Sequence, residues 1–149
     1  MFTYVLALHN VLRWLVLLAG AVTVVLAWRG WLGRRSWTGA ERGAARAFVA
    51  MLDFQFAVGL ALYLFYSPIT RSGFGDMGAA MRDAPVRYFL VEHPVIMVAA
   101  IAVAHVGSVK VRRAASDAER FQRAAIWFGL AFAAIAGFVP WARPMLPSF

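Results

Sequence analysis

The sequence predicts an all-α integral membrane protein, a four-helix up-down-up-down bundle with both termini on the outer side of the membrane. Three observations predict this fold class: an apolar composition, four apolar runs of spanning length, and basic residues clustered between the runs. Of the 149 residues, 62% are hydrophobic and 15% are charged, whereas an average soluble domain is roughly 45–50% apolar and about 25% charged. A soluble fold of this length cannot bury so much apolar surface, and disordered chains are poor in apolar residues. We therefore exclude both classes.

Each of the four apolar runs reaches the length of about 20 residues that a membrane-spanning helix needs. They cover residues 3–28, 45–65, 88–109 and 121–139, and we expect them to form one transmembrane domain over residues 1–149. The first run has no basic leader and no Ala-x-Ala cleavage site, so it is expected to be retained as a span. Between the second and third runs, the segment Met77–Arg82 is expected to form a helical turn on the outer surface.

The basic residues of the loops predict the orientation. Ten of them lie in or next to two loops, the first between runs one and two and the third between runs three and four. Four lie in the second loop, between runs two and three, and in the C-terminal tail. Because positively charged short loops stay in the cytoplasm, the first and third loops are expected there. The two sets are Arg29, Arg34, Arg35, Arg42, Arg46, Lys110, Arg112, Arg113, Arg120 and Arg123, against Arg71, Arg82, Arg87 and Arg143.

Several kinds of chemistry are excluded or disfavoured by residue type. The chain has no cysteine, which excludes disulfides, thiolate metal sites, Cys-ligated iron–sulfur clusters and covalent haem attachment. The net charge of +8 resides mainly in the loops between apolar runs, so it indicates membrane orientation and no nucleic-acid partner. No phosphate-binding glycine loop and no nucleophile–base arrangement is evident.

Polar residues inside the runs are the candidate functional residues, because each is costly in hydrocarbon and needs a partner or a role. Helix rise sorts most of them by depth into an outer cluster and an inner pair. The outer cluster consists of His9, Arg13, Glu92 and His93, and the inner pair of Asp53 and His105; Asn10 and Gln55 complete the set.

The outer cluster has two interpretations. In the first, His9 and His93 are the metal ligands of a b-type haem held between diagonally opposite helices, because neutral imidazole is a good iron ligand. Arg13, one turn below His9, then binds a haem propionate or pairs with Glu92. In the second interpretation, both histidines are interfacial polar residues that hydrogen-bond to the backbone or to Glu92.

The inner pair also has two interpretations. Asp53 and His105 are expected to form a buried hydrogen-bonded pair in which the carboxylate orients the imidazole. The alternative is a second ligand site or a step in a proton path. Met97, one turn beyond His93, is either a soft ligand or part of the core.

Four segments resemble a family of small four-span bacterial membrane proteins described as cytochrome B-like or uncharacterised. The resemblance covers nearly the whole chain in order, through residues 8–14, 55–63, 87–93 and 139–141. It implies a four-helix bundle whose histidines on the first and third spans hold haem. The family more often has a histidine at the position of Asp53, so it puts a second haem between Asp53 and His105 in doubt.

These observations predict a small cytochrome b-like protein of the bacterial inner membrane. It is expected to transfer one electron at a time through haem b near the outer face, with quinone or other membrane redox proteins as partners and no catalytic residues of its own.

Two other functions stay open. One is a cofactor-free accessory subunit of a larger respiratory or photosynthetic complex. Its docking surface would be a stripe of small residues on the fourth run, for which ordinary packing inside the bundle is the simpler expectation: Ala125, Gly129, Ala133 and Gly137. The other is a haem-pathway enzyme similar to the four-span protoporphyrinogen oxidases, which also have an early histidine in the first span.

Overall fold

The described part of the chain, residues 1–143 of a computed structural model, contains α-helices and two π-helical turns and no β-strand. The α-helices in chain order are α1 Phe2–Leu32, α2 Gly39–Ala61, α3 Pro68–Gly75, α4 Met77–Arg82, α5 Ala84–Arg87, α6 His93–Arg112 and α7 Asp117–Gly137. The first π-helical turn, Leu62–Tyr66, prolongs α2, and the second, Tyr88–Glu92, joins α5 to α6. The helical turn expected at Met77–Arg82 is confirmed as α4.

Three continuous helical stretches are long and apolar enough to cross a membrane: Phe2–Leu32, Gly39–Tyr66 and Ala84–Arg112. These stretches fit a multi-pass membrane protein. Helix α7 differs from them because four charged residues occupy its first two turns, namely Asp117, Glu119, Arg120 and Arg123.

The four long helices pack side by side as a ring. Helix α1 contacts α2 and α7, and α6 contacts the same two helices. Consequently α1 and α6 occupy opposite corners of the ring, and the histidines at positions 9 and 93 belong to diagonal helices, as expected from the order of the runs.

Side-chain caps explain where α2 and α7 begin. The Thr38 hydroxyl accepts a hydrogen bond from the Ala40 amide at 3.2 Å, and the Glu41 carboxylate accepts one from the Thr38 amide at 2.9 Å. The Ser116 hydroxyl accepts from the Glu119 amide at 3.2 Å in the same way. Such caps satisfy backbone donors that have no partner within the helix.

Aromatic side chains fill the centre of the bundle. Phe48, Phe121 and Phe128 are fully buried, and the rings of Phe48 and Phe128 meet edge to face at 6.1 Å. Near the end of α1, the ring centroids of Trp37 and Phe121 are 4.9 Å apart. The connection between α1 and α2 therefore lies beside the start of α7.

The small-residue stripe on α7 lies mostly outside this core, so the expectation of ordinary bundle packing is wrong for most of it. Only Ala125 is buried, Ala133 is exposed, and a Cβ added at Gly129 or Gly137 would meet no atom within 4 Å. The close approach of α6 to α7 occurs instead at Gly107, where an added Cβ would lie 2.5 Å from Trp127 Cβ.

Candidate functional site

A cavity of about 750 Å³ opens between the helices at the end of the bundle where α1 begins. Its walls are mostly apolar, with a few polar side chains, as is typical of cofactor sites. The polar and basic side chains that line it include His9, Asn10, Arg13, Gln55, Tyr63, Thr70, His93 and Arg143. Both histidines predicted as ligands therefore border one cavity.

His93 is the first residue of α6 and follows the π-helical turn Tyr88–Glu92. Its Nδ1 lies 3.1 Å from the carbonyl oxygen of Phe138. Since a carbonyl oxygen only accepts, Nδ1 carries the proton and donates. The other ring nitrogen, Nε2, has no hydrogen-bond partner within residues 1–143, and its lone pair is available to a ligand in the cavity.

Tyr88 strengthens this arrangement, because its hydroxyl donates to the same Phe138 oxygen at 2.6 Å. The Tyr88 ring also lies against the His93 ring, with 5.8 Å between the ring centroids. The imidazole is thus held by a ring contact and a shared acceptor before any ligand binds.

His9 is held from the neighbouring helix α2. Its Nε2 lies 3.2 Å from Gln55 Nε2, and its Cε1 would lie 3.0 Å from a Cβ added at Gly59. Glycine at position 59 therefore leaves the space that the ring occupies. His9 Nδ1 and Gln55 Oε1 are both buried without a hydrogen-bond partner in the described part of the chain.

Arg13 lies one turn further along α1 and is buried, with 7% of its surface exposed. It lines the cavity together with Arg143. The predicted pairing of Arg13 with Glu92 is wrong, because the Glu92 carboxylate accepts from Arg87 Nε at 2.7 Å. Arg87 lies five residues before Glu92, within reach across the intervening π-helical turn.

The inner pair forms as predicted, with His105 Nε2 and Asp53 Oδ1 2.8 Å apart. The expectation that it is buried is wrong: the side chains are 52% and 48% exposed, respectively. Both residues point outward from α6 and α2, and neither lines the cavity. Met97 borders the cavity and also packs against the core.

The metal-ligating side chains that line the cavity are His9 and His93. Within residues 1–143, no group of three or more His, Cys, Asp or Glu is close enough to hold a metal ion. A haem needs only two axial ligands from the protein. His93 offers an oriented imidazole. His9 Nε2 faces the Gln55 amide nitrogen, so His9 Nδ1 has a lone pair for iron only when that amide is turned to present its unpartnered Oε1.

Three residues of α2 and its π-helical extension belong to the site but were not assigned to it from the sequence: Gln55, Gly59 and Tyr63. The Tyr63 hydroxyl donates to the Leu90 carbonyl at 3.0 Å. Pro94 has no N–H to offer that oxygen, so Tyr63 supplies a donor beside the proline. The spacing of four residues places all three on one helix face, and this spacing is the signal that could have identified them from the sequence.

Comparison with family models, curated proteins and solved structures returned no match.

Proposed function

We propose that the chain is a small four-span membrane protein that transfers single electrons through one haem b, with His9 and His93 as the axial ligands. The observation that carries the proposal is the His93–Phe138 hydrogen bond of 3.1 Å. It fixes the proton on Nδ1 and leaves Nε2 for iron, which is the way proteins commonly orient a metal-ligating histidine.

His9 contributes the second imidazole from the diagonal helix. A neutral imidazole has one donor and one acceptor nitrogen. One nitrogen of His9 serves Gln55, and the other is buried without a hydrogen-bond partner in the described part of the chain. Iron ligation at Nδ1 would require the proton to be on Nε2. This holds if the Gln55 amide is turned so that its unpartnered Oε1 accepts from His9 Nε2, since the amide O and N exchange places in such a turn. When bound, haem b supplies a one-electron redox centre, and two histidine ligands suit electron transfer.

The other cavity residues suit the rest of a haem. Arg13 and Arg143 line the same cavity, and guanidinium groups bind carboxylates such as haem propionates through charge-assisted hydrogen bonds. The apolar walls exclude water from the macrocycle, which limits solvent access to the centre.

The proposal places α7 in the membrane as the fourth span. Its charged first turns then lie at the cytoplasmic surface beside the basic loops, and both termini lie outside. In this orientation the haem is near the outer face of a bacterial inner membrane, where quinone or other membrane redox proteins are the partners of the carrier.

Histidine variants test the ligand assignment. Replacing His9 or His93 by Ala should abolish the six-coordinate low-spin spectrum, since either change removes an axial bond. His105→Ala is the matched control, because His105 lies about 18 Å of helix rise from His93 and cannot share its iron. A haem that survives His9→Ala and is lost in His105→Ala would refute the assignment.

One observation favours the accessory-subunit function instead. The small residues Gly129 and Gly137 are open to the outside, and small-xxx-small faces are common where membrane helices associate. A stable protein that lacks haem and co-purifies with a membrane complex, but loses that complex on Gly129→Ile, would support this function.

A further inference from the structure

A second concave site lies at the opposite end of α6 from His93, beside the start of α7. This groove has a volume of about 500 Å³. Four basic residues line it: Lys110, Arg112, Arg113 and Arg123. The rest of the lining consists of Val106, Val109, Ser108 and His105. It shares no residue with the haem cavity and does not depend on haem binding.

The positive charge in this groove is largely uncompensated. Arg123 forms an ion pair with Glu119, and Asp53 is paired with His105. Across residues 1–143, no carboxylate lies within 4.0 Å of a charged nitrogen of Lys110, Arg112 or Arg113. Three cations without an acidic partner therefore converge on one concavity.

Contacts between α6 and α7 hold the groove in shape. Arg123 Nη1 donates to the Lys110 carbonyl at 2.7 Å, and the Lys110 ammonium lies 5.4 Å from the centroid of the Trp127 ring. Arg112 Nη1 donates to the Ser108 hydroxyl at 2.7 Å. The basic groups are thus partly ordered before a ligand arrives, which lowers the entropic cost of binding.

The groove lies where a membrane surface would be. The apolar stretch Ala84–Arg112 ends at this site, so its last turn is at the boundary between hydrocarbon and water. Along α6, Val106 and Val109 precede the basic residues Lys110, Arg112 and Arg113, so the groove combines an apolar part with a basic part nearer the end of the apolar stretch. An amphiphile with an acyl chain and a phosphate matches both parts, whereas free phosphate uses only the basic part.

We propose that this groove binds the phosphate of an anionic phospholipid headgroup, with an acyl chain lying against the valines of α6. Basic pockets between transmembrane helices on the cytoplasmic side bind anionic headgroups in this way. A zwitterionic headgroup brings an ammonium group into the same uncompensated positive field, so the site prefers a net negative lipid.

Native mass spectrometry of the full-length protein in neutral detergent tests the proposal. The protein is titrated with phosphatidylglycerol or with phosphatidylcholine, and bound lipids are counted. We expect a phosphatidylglycerol adduct at concentrations where phosphatidylcholine gives none. The double variant Lys110→Gln/Arg113→Gln should weaken lipid binding about 25-fold, at about 5-fold for each cation removed.

The matched control removes two cations from the same end of the bundle, outside the groove. Arg42 and Arg46 are exposed on α2, so Arg42→Gln/Arg46→Gln should retain the adduct. Equal binding of both lipids, or equal loss in the two double variants, would overturn the proposal. Displacement of the lipid by inorganic phosphate alone would assign the groove to a soluble anion. Thermal unfolding of each variant verifies that it is folded.

Discussion

The carbonyl oxygen of Phe138 determines which nitrogen of His93 carries the proton. It accepts from His93 Nδ1 at 3.1 Å and from the Tyr88 hydroxyl at 2.6 Å, so both of its lone pairs are used. Turning the imidazole away would break its hydrogen bond, which contributes about 0.5–1.5 kcal/mol net, while the oxygen would keep the Tyr88 donor. The His93 imidazole is therefore oriented by a backbone carbonyl and not by a functional side chain.

At the same scale, the ion pair of Glu92 gives a testable prediction. Glu92→Gln should cost less than about 1 kcal/mol, because the pair with Arg87 is partly exposed. In a double-mutant cycle, Arg87→Gln should show coupling to Glu92→Gln. Arg13→Gln should instead add independently, since Arg13 is not the partner of Glu92. Thermal unfolding in detergent provides the free energies. Coupling of Glu92 to Arg13 alone would contradict the structure.

The residue types of the site were predictable, but several of their contacts were not. The pairing of Asp53 with His105 follows from similar depth on two neighbouring helices. The Arg87–Glu92 pair could not be predicted in this way, because its two residues are five positions apart and do not lie on one face of a regular α-helix. Gln55 was recognisable as an intramembrane polar residue, but its contact with His9 depends on how α1 and α2 are rotated.

Two π-helical turns distinguish the helices that border the cavity. Leu62–Tyr66 ends α2 just before Pro68, and Tyr88–Glu92 precedes Pro94. Proline removes a backbone donor from the helix, and the wider turn accommodates the change. Thr70 completes the first turn by donating to the Tyr63 carbonyl at 2.8 Å. Such turns are frequent at functional sites, and hydrophobic runs give no sign of them.

The packing of α6 against α7 predicts how substitutions of two glycines change the stability of the protein. Gly107→Ala should destabilise the protein by about 1–3 kcal/mol, because its Cβ would overlap Trp127 and force α6 from α7. Gly129→Ala is the matched control on an open face, and should be neutral or stabilising by up to about 1 kcal/mol. Unfolding of both variants in the same detergent checks this. The opposite order of stabilities would mean that the two helices pack through the other face of α7.

At the scale of the whole molecule, the alternation of apolar runs with basic loops predicts four spans and their orientation. Within residues 1–143, three stretches are long and apolar enough to span a membrane, and α7 closes the ring against α1 and α6. The order of the long helices followed from hydropathy, but their lengths followed only in part, because α1 and α2 begin or end several residues beyond the runs 3–28 and 45–65. The outward position of the α7 stripe could not be predicted from hydropathy, because small residues fit a close helix contact and an open face equally well.

Reporter fusions test the orientation. A reporter fused after Trp37 should behave as cytoplasmic and one fused after Gly75 as external, because basic loops resist translocation. At each of the two sites, an alkaline phosphatase fusion and a fluorescent-protein fusion should give opposite signals, so each reporter checks the other. The reverse pattern would place the cavity lined by His9 and His93 at the cytoplasmic face.

The visible spectrum of the purified protein tests the central claim most directly. The full-length protein, expressed with ample haem and purified in detergent, is oxidised and then reduced. Two histidine ligands predict a Soret band that shifts on reduction and a sharp α band that appears on reduction. His93→Ala should lose both the low-spin signature and the tight binding. A folded, stable protein that stays colourless under these conditions would contradict the claim.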